Sequence, residues 1–348
     1  MPSIGSSGYR IGYSSALTRS STEPLASADS FRVWFERQPP PVYAELLEGS
    51  AVIIGSGIDE AHAQGSIAEA QAIIASAYIR YDGQLMDVAP ELRVISRTGI
   101  GLDNIAIDEA TERGIAVCHV PDGPTVSTAE HTIALMLAVA KELPRATSVL
   151  ANGKRDFFNE YEGVELDGLC CGLVGLGQIG RRVAVFTRAL GMHVIAYDPY
   201  VDPEVATTLQ ITLVPDLDTL LKQADTISLH TPLTPDTTHM INAQRLALMK
   251  PGAILINTAR GGLIDETALL QALDSGHLRG AGLDVFEPEP PNPTNQLLHR
   301  DNVIATPHIA GATIAGKDRL WRAAIAQALQ VLKGERPPHL VNLAELPA

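Results

Sequence analysis

The sequence predicts a mixed α/β protein built from two doubly wound units, each a parallel sheet covered by helices. Strand-like apolar runs alternate with helical segments from Phe31 onward, a pattern typical of parallel strands joined by crossover helices. A glycine-rich turn at 175–180 stands between an apolar run and a helical segment. The 348 residues also exceed one typical domain, so two domains are expected.

Composition narrows the functional classes. Apolar residues make up 45% of the chain and charged residues 19%, which is ordinary for a globular protein with sizeable cores. The formal net charge is −14 with no basic run, so nucleic acids and anionic membranes are poor partners. No apolar run reaches the roughly 18 residues that a membrane span needs. Cys118, Cys170 and Cys171 lack metal-ligand spacing and predict reduced thiols in a cytoplasmic protein.

The first 30 residues differ from the rest of the chain. They are rich in Ser and contain Arg10 and Arg19 but no acid before Glu23. This composition faintly resembles a transit peptide. The strand-like run at 9–13 instead favours an extra surface strand or a loose extension.

The first unit is expected to begin at Phe31 and to supply a substrate domain of residues 1–119 and 311–348. Its apolar runs are short and bounded by turn residues, which is typical of buried parallel strands. Strands are predicted at 32–35, 51–54, 72–75, 93–96 and 115–119, and helices at 42–47 and 105–112.

A long apolar helix at 128–143 and a more polar segment at 145–163 lead into the second unit, predicted to span 120–310. The helix is apolar over nearly its whole circumference, so it belongs to a core or to a subunit interface. A helix at 178–190 is expected to bury Ile179, Val183, Ala184 and Phe186. Further strands are predicted at 193–197, 226–229, 254–257, 280–285 and 303–305, and helices at 266–274 and 314–332.

The turn at 175–180 carries the strongest single signal. Gly175, Gly177 and Gly180 have the G-x-G-x-x-G spacing between a strand and a helix. The three glycines allow a tight turn, close approach of a pyrophosphate, and close packing of helix on strand. Gln178 and Ile179 open the helix, whose N-terminal N–H groups favour phosphate. A dinucleotide site is therefore predicted, with a plain packing turn as the alternative.

Asp198 follows Gly180 by 18 residues, at the end of the next predicted strand. A carboxylate there can accept hydrogen bonds from both ribose hydroxyls and repels a 2′-phosphate. No Arg or Lys follows it closely. The cofactor is therefore predicted to be NAD rather than NADP.

Four segments together resemble the D-isomer-specific 2-hydroxyacid dehydrogenase family, on its phosphoglycerate-dehydrogenase-like side. The resemblance covers the chain from Phe31 on and implies a Rossmann NAD-binding domain, a flavodoxin-like substrate domain, and a homodimer that oxidises or reduces a small anionic 2-hydroxy or 2-oxo acid. The segments are 172–180, 230–239, 249–262, and 284–290 with 305–313.

The resemblance also implies three catalytic residues. Arg260 would grip the 2-oxo acid, and its planar guanidinium suits a carboxylate. Glu289 and His308 would form the acid–base pair, since imidazole near neutral pH can give and take a proton. The alternatives are an ordinary loop Arg and a surface His with a solvated Glu. Formate dehydrogenases of the wider superfamily have Gln in place of Glu289, which argues against formate as the substrate.

Further cofactor contacts follow from the same resemblance. Asp284 matches a position that meets the nicotinamide carboxamide, with a structural or capping Asp as the alternative. The remaining positions end predicted strands and would line the adenosine pocket (His230, Thr231 and Pro232) or approach the nicotinamide ribose (Thr258 and Ala259). No metal site is expected, because no second ligand is suitably spaced from His230.

A glycine-bearing loop resembles the carboxylate-binding loop of the family. Its members Gly99, Ile100 and Gly101 could form a backbone nest for an anion, although a simple strand-to-helix turn is the alternative. Asn104 could cap the following helix. Tyr78 and Arg97 are expected to contact the substrate.

The segment 75–80 departs from the phosphoglycerate dehydrogenase pattern. Ala75 stands in place of Arg, and Ile79 in place of Lys. Arg80 remains nearby, but one lost charge-assisted contact costs about 1.5–3 kcal/mol, more than about tenfold in affinity. The sequence thus predicts an acid other than 3-phosphoglycerate, such as hydroxypyruvate or glyoxylate in the direction of reduction, or an unusual acid.

A second class of function stays open: an NAD-sensing, corepressor-like binding module on the same fold, since a fold alone does not settle function. In the family, the region matching helix 128–143 builds a dimer interface with the arm after it. No regulatory domain is expected after Leu332.

Overall fold

The structure is a computed structural model. The part of the chain that it describes is built on two parallel sheets. The described residues are 30–344 apart from 49, 55–62, 64, 154–157, 159 and 160. The strand expected at 9–13 lies outside them. No helix of the described part is long and apolar enough to cross a membrane.

The smaller sheet has five parallel strands in the order β2-β1-β3-β4-β5, which is the flavodoxin-like doubly wound order. Helix α1 (Gly83–Asp87), helix α2 (Ile107–Glu112) and a 3₁₀ helix (Pro41–Leu47) connect its strands. The strands are β1 (Phe31–Phe35), β2 (Ser50–Ile54), β3 (Ala72–Ala75), β4 (Val94–Arg97) and β5 (Ala116–Cys118).

The larger sheet has seven parallel strands in the order β12-β11-β10-β9-β6-β7-β8. Read from β8, the first six follow the 3-2-1-4-5-6 order of a Rossmann sheet, with one more strand at the far edge. The strands are β6 (Cys170–Val174), β7 (His193–Tyr197), β8 (Thr212–Leu213), β9 (Thr226–Leu229), β10 (Ala253–Asn257), β11 (Leu278–Leu283) and β12 (Val303–Ala305).

Eight further α-helices lie in the described chain from Thr125 on. The first of them, α3, packs on α5, β10 and β11, whereas the last, α10, returns to β3 and β4 of the smaller sheet. They are α3 (Thr125–Ala140), α4 (Leu143–Ala151), α5 (Gln178–Ala189), α6 (Pro203–Leu209), α7 (Leu217–Gln223), α8 (Ala243–Leu248), α9 (Glu266–Asp274) and α10 (Ile314–Leu332).

The predicted fold class is confirmed, and six predicted elements have the observed bounds: β3, β7, β9, β12, α9 and α10. The helical segment predicted at 42–47 is present as a 3₁₀ helix that begins at Pro41. The predicted helix 178–190 buries Val183 and Ala184, but Ile179 and Phe186 are only partly buried.

The long helix predicted at 128–143 instead runs from 125 to 140. Pro144 cannot continue it, because proline lacks the N–H that would bond the Ala140 carbonyl. The amide of Val164 donates to that carbonyl at 2.8 Å, and Glu142 adopts a left-handed backbone with a φ of 48°. The segment predicted only as polar therefore begins with a second helix, α4.

The carboxyl ends of the strands carry the loops that matter for function. In the larger sheet the strand order reverses between β6 and β9, so Gly175 and His230 lie side by side at the switch point, where open α/β sheets bind ligands. The domain boundaries at 119/120 and 310/311 stay a prediction.

Burial in the smaller sheet can be tested with one substitution. Ile73 lies in the central strand β3 and is fully buried, so Ile73→Ala is expected to lower the free energy of unfolding by about 2–5 kcal/mol. Ile314 is 89% exposed, and Ile314→Ala should change it by less than about 0.5 kcal/mol. Urea unfolding of both variants measures the difference, and equal losses would contradict the described core.

Candidate active site

The glycine turn has one distinct role for each glycine. Gly175 has a φ of +96°, and a Cβ there would lie 2.5 Å from the His230 carbonyl oxygen. A Cβ on Gly180 would lie 2.3 Å from the Gly175 carbonyl oxygen. A Cβ on Gly177 would meet nothing within 4 Å. The chain itself therefore requires glycine at 175 and 180, whereas at 177 the open space suits a ligand.

The start of α5 is open toward that space. Its N-cap residue is Gly177, and no side chain caps the helix, so the first N–H groups remain available to a phosphate. Gln178 and Ile179 form the first turn beside it. These features fit the pyrophosphate of a dinucleotide.

Asp198 ties the glycine turn to the end of β7. Its carboxylate accepts hydrogen bonds from the amides of Leu176 at 2.7 Å, Tyr200 at 2.9 Å and Val201 at 3.1 Å. A carboxylate offers about four lone-pair positions. Some acceptor capacity therefore remains for a ribose hydroxyl, while the turn is held in place.

His230 packs against the glycine turn, and its Nε2 lies 2.9 Å from the Ser228 hydroxyl. Burial lowers the pKa of its imidazole to about 4, so it is neutral near pH 7. Thr231 and Pro232 follow at the same edge. Among the described residues no cluster of His, Cys, Asp or Glu is placed to hold a metal ion.

Arg260 lies where the two domains meet. Its Nε and Nη2 reach the Asp103 carboxylate at 3.0 and 2.9 Å, and its Nη1 donates to the Ala259 carbonyl at 2.7 Å. A Cβ on Gly101 would lie 1.4 Å from Arg260 Nη2, so the guanidinium rests directly on the Gly99–Asp103 loop. Partial burial raises the pKa of Asp103, but Arg260 outweighs it and keeps that pKa below its usual value.

The turn before Arg260 is built by Asn257. Its side-chain amide donates to the Arg260 carbonyl at 2.7 Å, and its side-chain oxygen accepts from the Ala259 amide at 3.0 Å. Thr258 is buried, and its hydroxyl lies 2.9 Å from the Thr132 hydroxyl on α3. Thr258 and Ala259 thus lie at the same edge of the sheet as Arg260.

Glu289 and His308 are paired directly. The Nδ1 of His308 lies 2.7 Å from Glu289 Oε2, which assigns the Nδ1 proton to this contact when the carboxylate is ionised. The Nε2 of the same ring then stays available for a substrate. The other Glu289 oxygen accepts from the Phe286 amide at 3.1 Å, and the Phe286 backbone lies against Gly261. The acid–base pair and the Arg260 turn are therefore neighbours.

Asp284 is fully buried and binds the segment that contains His308. Its Oδ1 accepts from the Thr306 hydroxyl at 2.6 Å and the Ile309 amide at 2.9 Å, and its Oδ2 accepts from the Ala310 amide at 2.8 Å. These contacts give Asp284 a structural role, and its contact with the nicotinamide carboxamide stays a prediction.

The Gly99–Gly101 segment leaves its amides open. Among the described residues the N–H groups of Gly99, Ile100 and Gly101 have no protein acceptor, and successive open amides form an anion site. The sequence suggested that Asn104 could cap the next helix, but it does not. Its amide instead donates to the carbonyls of Ser76 and Ile79 at 2.9 and 2.8 Å, because that loop crosses directly above it.

Arg97 lies beneath this nest. It is 6% exposed, and its Nε has no hydrogen-bond partner in the described part of the chain. Burial lowers the pKa of its guanidinium to about 10, the positive charge of Arg260 adds to the effect, and Glu36 opposes it. Arg97 stays protonated near pH 7, so two cations approach the same nest.

A residue that the sequence analysis did not single out shapes the loop at 76–81. Glu36 is fully buried and accepts hydrogen bonds from Ser76, from the Tyr78 amide at 3.3 Å and from the Tyr81 hydroxyl at 2.8 Å. Burial and this carboxylate raise the pKa of Tyr81 well above its usual value. The Arg37 guanidinium lies 4.2 Å from the centre of the Tyr78 ring. The sequence contained a signal for this residue, because Glu36 directly follows a buried strand.

Comparison with known proteins gives the class. The family model "D-isomer specific 2-hydroxyacid dehydrogenase, NAD binding domain" matches residues 133–310. A D-3-phosphoglycerate dehydrogenase of Methanocaldococcus jannaschii is 42% identical over 87% of this chain and 57% of its own length. A glyoxylate reductase of Thermofilum pendens is 45% identical over 76% of this chain and 78% of its own length.

A solved structure agrees with these matches. The D-lactate dehydrogenase of Aquifex aeolicus, complexed with NAD and lactic acid, has a TM-score of 0.83 and 32% identity, covering 91% of this chain and all of that one. The chain thus belongs to the D-isomer-specific 2-hydroxyacid dehydrogenase family, and its cofactor is NAD. It spans 57% of the length of the M. jannaschii relative.

The glycine turn generates a paired prediction. In Gly177→Ala the added methyl group meets only a bound ligand, so NADH affinity should fall about tenfold while the free energy of unfolding stays within about 0.5 kcal/mol of wild type. In Gly180→Ala the methyl group meets the Gly175 carbonyl, so stability should fall by about 1–3 kcal/mol. NADH fluorescence titration and urea unfolding measure both. Equal NADH affinity in Gly177→Ala and wild type would contradict the assigned pyrophosphate position.

Proposed function

We propose that this protein is an NAD-dependent oxidoreductase that transfers a hydride between NAD(H) and a small D-2-hydroxy acid or its 2-oxo acid. The observation that carries the proposal is the 2.7 Å pair of Glu289 and His308 at the loop edge that also holds Arg260. We place the substrate between the anion nest, the fixed cation and the proton donor, because small ligands often bind where two domains meet.

Substrate binding rests on Arg260 and the Gly99–Gly101 amides. Arginine carries five N–H groups, and the contacts to Asp103 and Ala259 use three of them. Two N–H groups remain for the substrate carboxylate and its C2 oxygen, and the open amides of the nest complete the carboxylate site. Arg97 adds a second positive charge from below.

The proton moves at His308. When bound, NADH supplies the hydride to C2 of the 2-oxo acid. His308 Nε2 then donates a proton to the C2 oxygen, and the ring is left neutral. Before that step the Glu289 carboxylate stabilises the imidazolium and keeps the ring in place through Nδ1. Oxidation of the hydroxy acid uses the same groups in reverse.

The choice of substrate is proposed from the loop at 75–80. Ala75 and Ile79 carry no charge and are both buried in the core, at 0% and 1% exposure, so neither supplies a cation for a substrate phosphate. The partly buried Tyr78 ring, with Arg37 against it, forms a wall instead. We favour hydroxypyruvate or glyoxylate over the phosphorylated acid, although several relatives carry the name D-3-phosphoglycerate dehydrogenase.

The binding-module alternative is less well supported. The similar proteins named above are dehydrogenases and a reductase, and this comparison favours the enzyme, because a binding module on the same fold can keep the same Arg, Glu and His. The free thiols of Cys118, Cys170 and Cys171 support a reducing, cytoplasmic setting. The proposed domains are 1–119 with 311–348 for the substrate and 120–310 for NAD.

A panel of 2-oxo acids with NADH tests the activity. Wild type should oxidise NADH with glyoxylate or hydroxypyruvate faster than with 3-phosphohydroxypyruvate. Arg260→Ala should lower kcat/KM about 10–100-fold or more because it removes a charge-assisted contact. His308→Asn should lower kcat about 10²–10⁴-fold because it removes the proton donor.

Matched variants complete that experiment. Arg300 lies at the surface and pairs with Asp274, so Arg300→Ala should keep wild-type kinetics. NADPH should be a poorer cofactor than NADH. Absence of turnover across the whole panel, with NADH bound, would refute the proposed activity.

Subunit association is the remaining part of the proposal. Ala134 is exposed on α3, and Ile133 and Leu137 beside it are only partly buried against the core. Leu143 and Leu150 on α4 are 51% and 62% exposed. An apolar surface of this kind is typical of an interface, and we propose a homodimer formed through α3 and α4.

Light scattering during size exclusion should therefore give the mass of two chains. Leu150→Glu, which places a charge on this surface, should shift the protein toward the mass of one chain. Val42 is 60% exposed in the other domain, and Val42→Glu is the matched control that should stay dimeric. A single-chain mass for wild type would overturn this proposal.

A further inference from the structure

One residue fixes the backbone of the His308 segment. Three successive amides donate to Asp284: His308 to its backbone carbonyl at 2.8 Å, Ile309 to Oδ1 at 2.9 Å and Ala310 to Oδ2 at 2.8 Å. His308 itself has a φ of 52°, in the left-handed region that residues other than glycine rarely adopt. The position of the imidazole therefore depends on how firmly Asp284 is held.

The direction of the hydrogen bonds beyond Asp284 can be assigned. An ionised carboxylate only accepts, so the Thr306 hydroxyl donates its proton to Asp284 Oδ1 at 2.6 Å. The Thr306 oxygen can then only accept from His131 Nε2, which lies 3.0 Å away. His131 Nε2 must carry a proton. The same nitrogen lies 3.6 Å from Asp284 Oδ1, so it faces the carboxylate as well.

His131 lies on a different secondary-structure element from the residues that it supports. It lies on α3, which also contacts the Arg260 turn through the Thr132–Thr258 hydroxyl pair at 2.9 Å. A third contact joins Ser127 to Thr313, at the start of α10, at 2.7 Å. Helix α3 thus contacts the Arg260 turn, the segment that contains His308 and the start of α10.

We propose that His131 is a positioning residue for His308, acting through the Thr306 hydroxyl and the Asp284 carboxylate. The inference rests on the proposed function, because it assigns His308 the proton step. His131 does not touch the substrate. It fixes the hydrogen-bond direction of Thr306, which leaves both Asp284 oxygens to hold the amides of Ile309 and Ala310.

Two variants remove the connection, and two conservative variants keep it. His131→Leu removes the N–H donor, and Thr306→Val removes the hydroxyl at nearly constant volume. His131→Gln retains an amide donor, and Thr306→Ser retains the hydroxyl. Thr207→Val, at an exposed position on α6, is the matched control for the loss of a Thr hydroxyl.

Hydrogen exchange of the 308–310 amides is measured first, since it does not require activity. His131→Leu and Thr306→Val should speed this exchange by about tenfold, with a peptide from β6 unchanged. His131→Gln, Thr306→Ser and Thr207→Val should stay near wild type. If the exchange of 308–310 is the same in His131→Leu and wild type, the proposal is refuted.

Steady-state kinetics give the second readout. Both disruptive variants should lower kcat about tenfold, with the NADH dissociation constant changed less than about twofold, and the double variant should be no worse than either single one. A parallel loss of NADH affinity would overturn the positioning role. Faster exchange in the two disruptive variants of a protein whose wild type turns over no 2-oxo acid would refute the proposed function alone. Unchanged exchange in these variants of an active enzyme would refute this inference alone.

Discussion

The contact between Arg260 and Asp103 is the interaction on which the site depends. Arg260 lies in the turn that follows β10 of the larger sheet, whereas Asp103 belongs to a loop of the smaller one, and their atoms lie 2.9–3.0 Å apart. Ligands of open parallel sheets bind at the carboxyl ends of the strands, and both loops in this contact follow such strand ends. The ion pair holds the Arg260 guanidinium against the Gly99–Gly101 segment.

Charge balance in the cleft follows from that arrangement. Arg97 and Arg260 are close enough for each to disfavour the charge of the other, and the low pKa of Arg97 reflects burial first and Arg260 second. Glu36 and Asp103 oppose this effect from either side. Two cations and two carboxylates thus surround the nest, so a substrate carboxylate would be attracted by the open N–H groups of Arg260 and of Gly99–Gly101 rather than by a net positive charge. The formal charge of −14 repels anions from the protein as a whole, so these local donors have to provide the attraction.

Much of this organisation was readable from the sequence, for physical reasons that differ between elements. Buried parallel strands such as β9 and β12 are short apolar runs between turn residues, and their bounds were predicted correctly. The glycine spacing predicted the turn because backbone contacts at Gly175 and Gly180 exclude every other residue. Helix α3 was misplaced by three residues, since its end depends on Pro144 and on the Val164–Ala140 hydrogen bond. Short helices such as α7 and α8 carry too little periodicity to be seen.

The candidate site was predictable in its residue types but not in its connections. Arg260, Glu289 and His308 came from motif resemblance, whereas Glu36, Asp103 and His131 act through partners that lie 45, 157 and 175 residues away in sequence. The position of Glu36 directly after a buried strand was visible in the sequence, but nothing local states which loop its carboxylate binds. Asp284 shows the same limit: its residue type was noticed, but its hold on 308–310 requires coordinates.

A crystal structure with NAD and a non-reducible 2-oxo acid analogue would test the central claim most directly. The account predicts that the analogue carboxylate lies on the Gly99–Gly101 amides and Arg260, with His308 Nε2 within hydrogen-bond distance of the C2 oxygen. An analogue bound elsewhere, or a His308 ring turned away from that oxygen while still paired with Glu289, would contradict it.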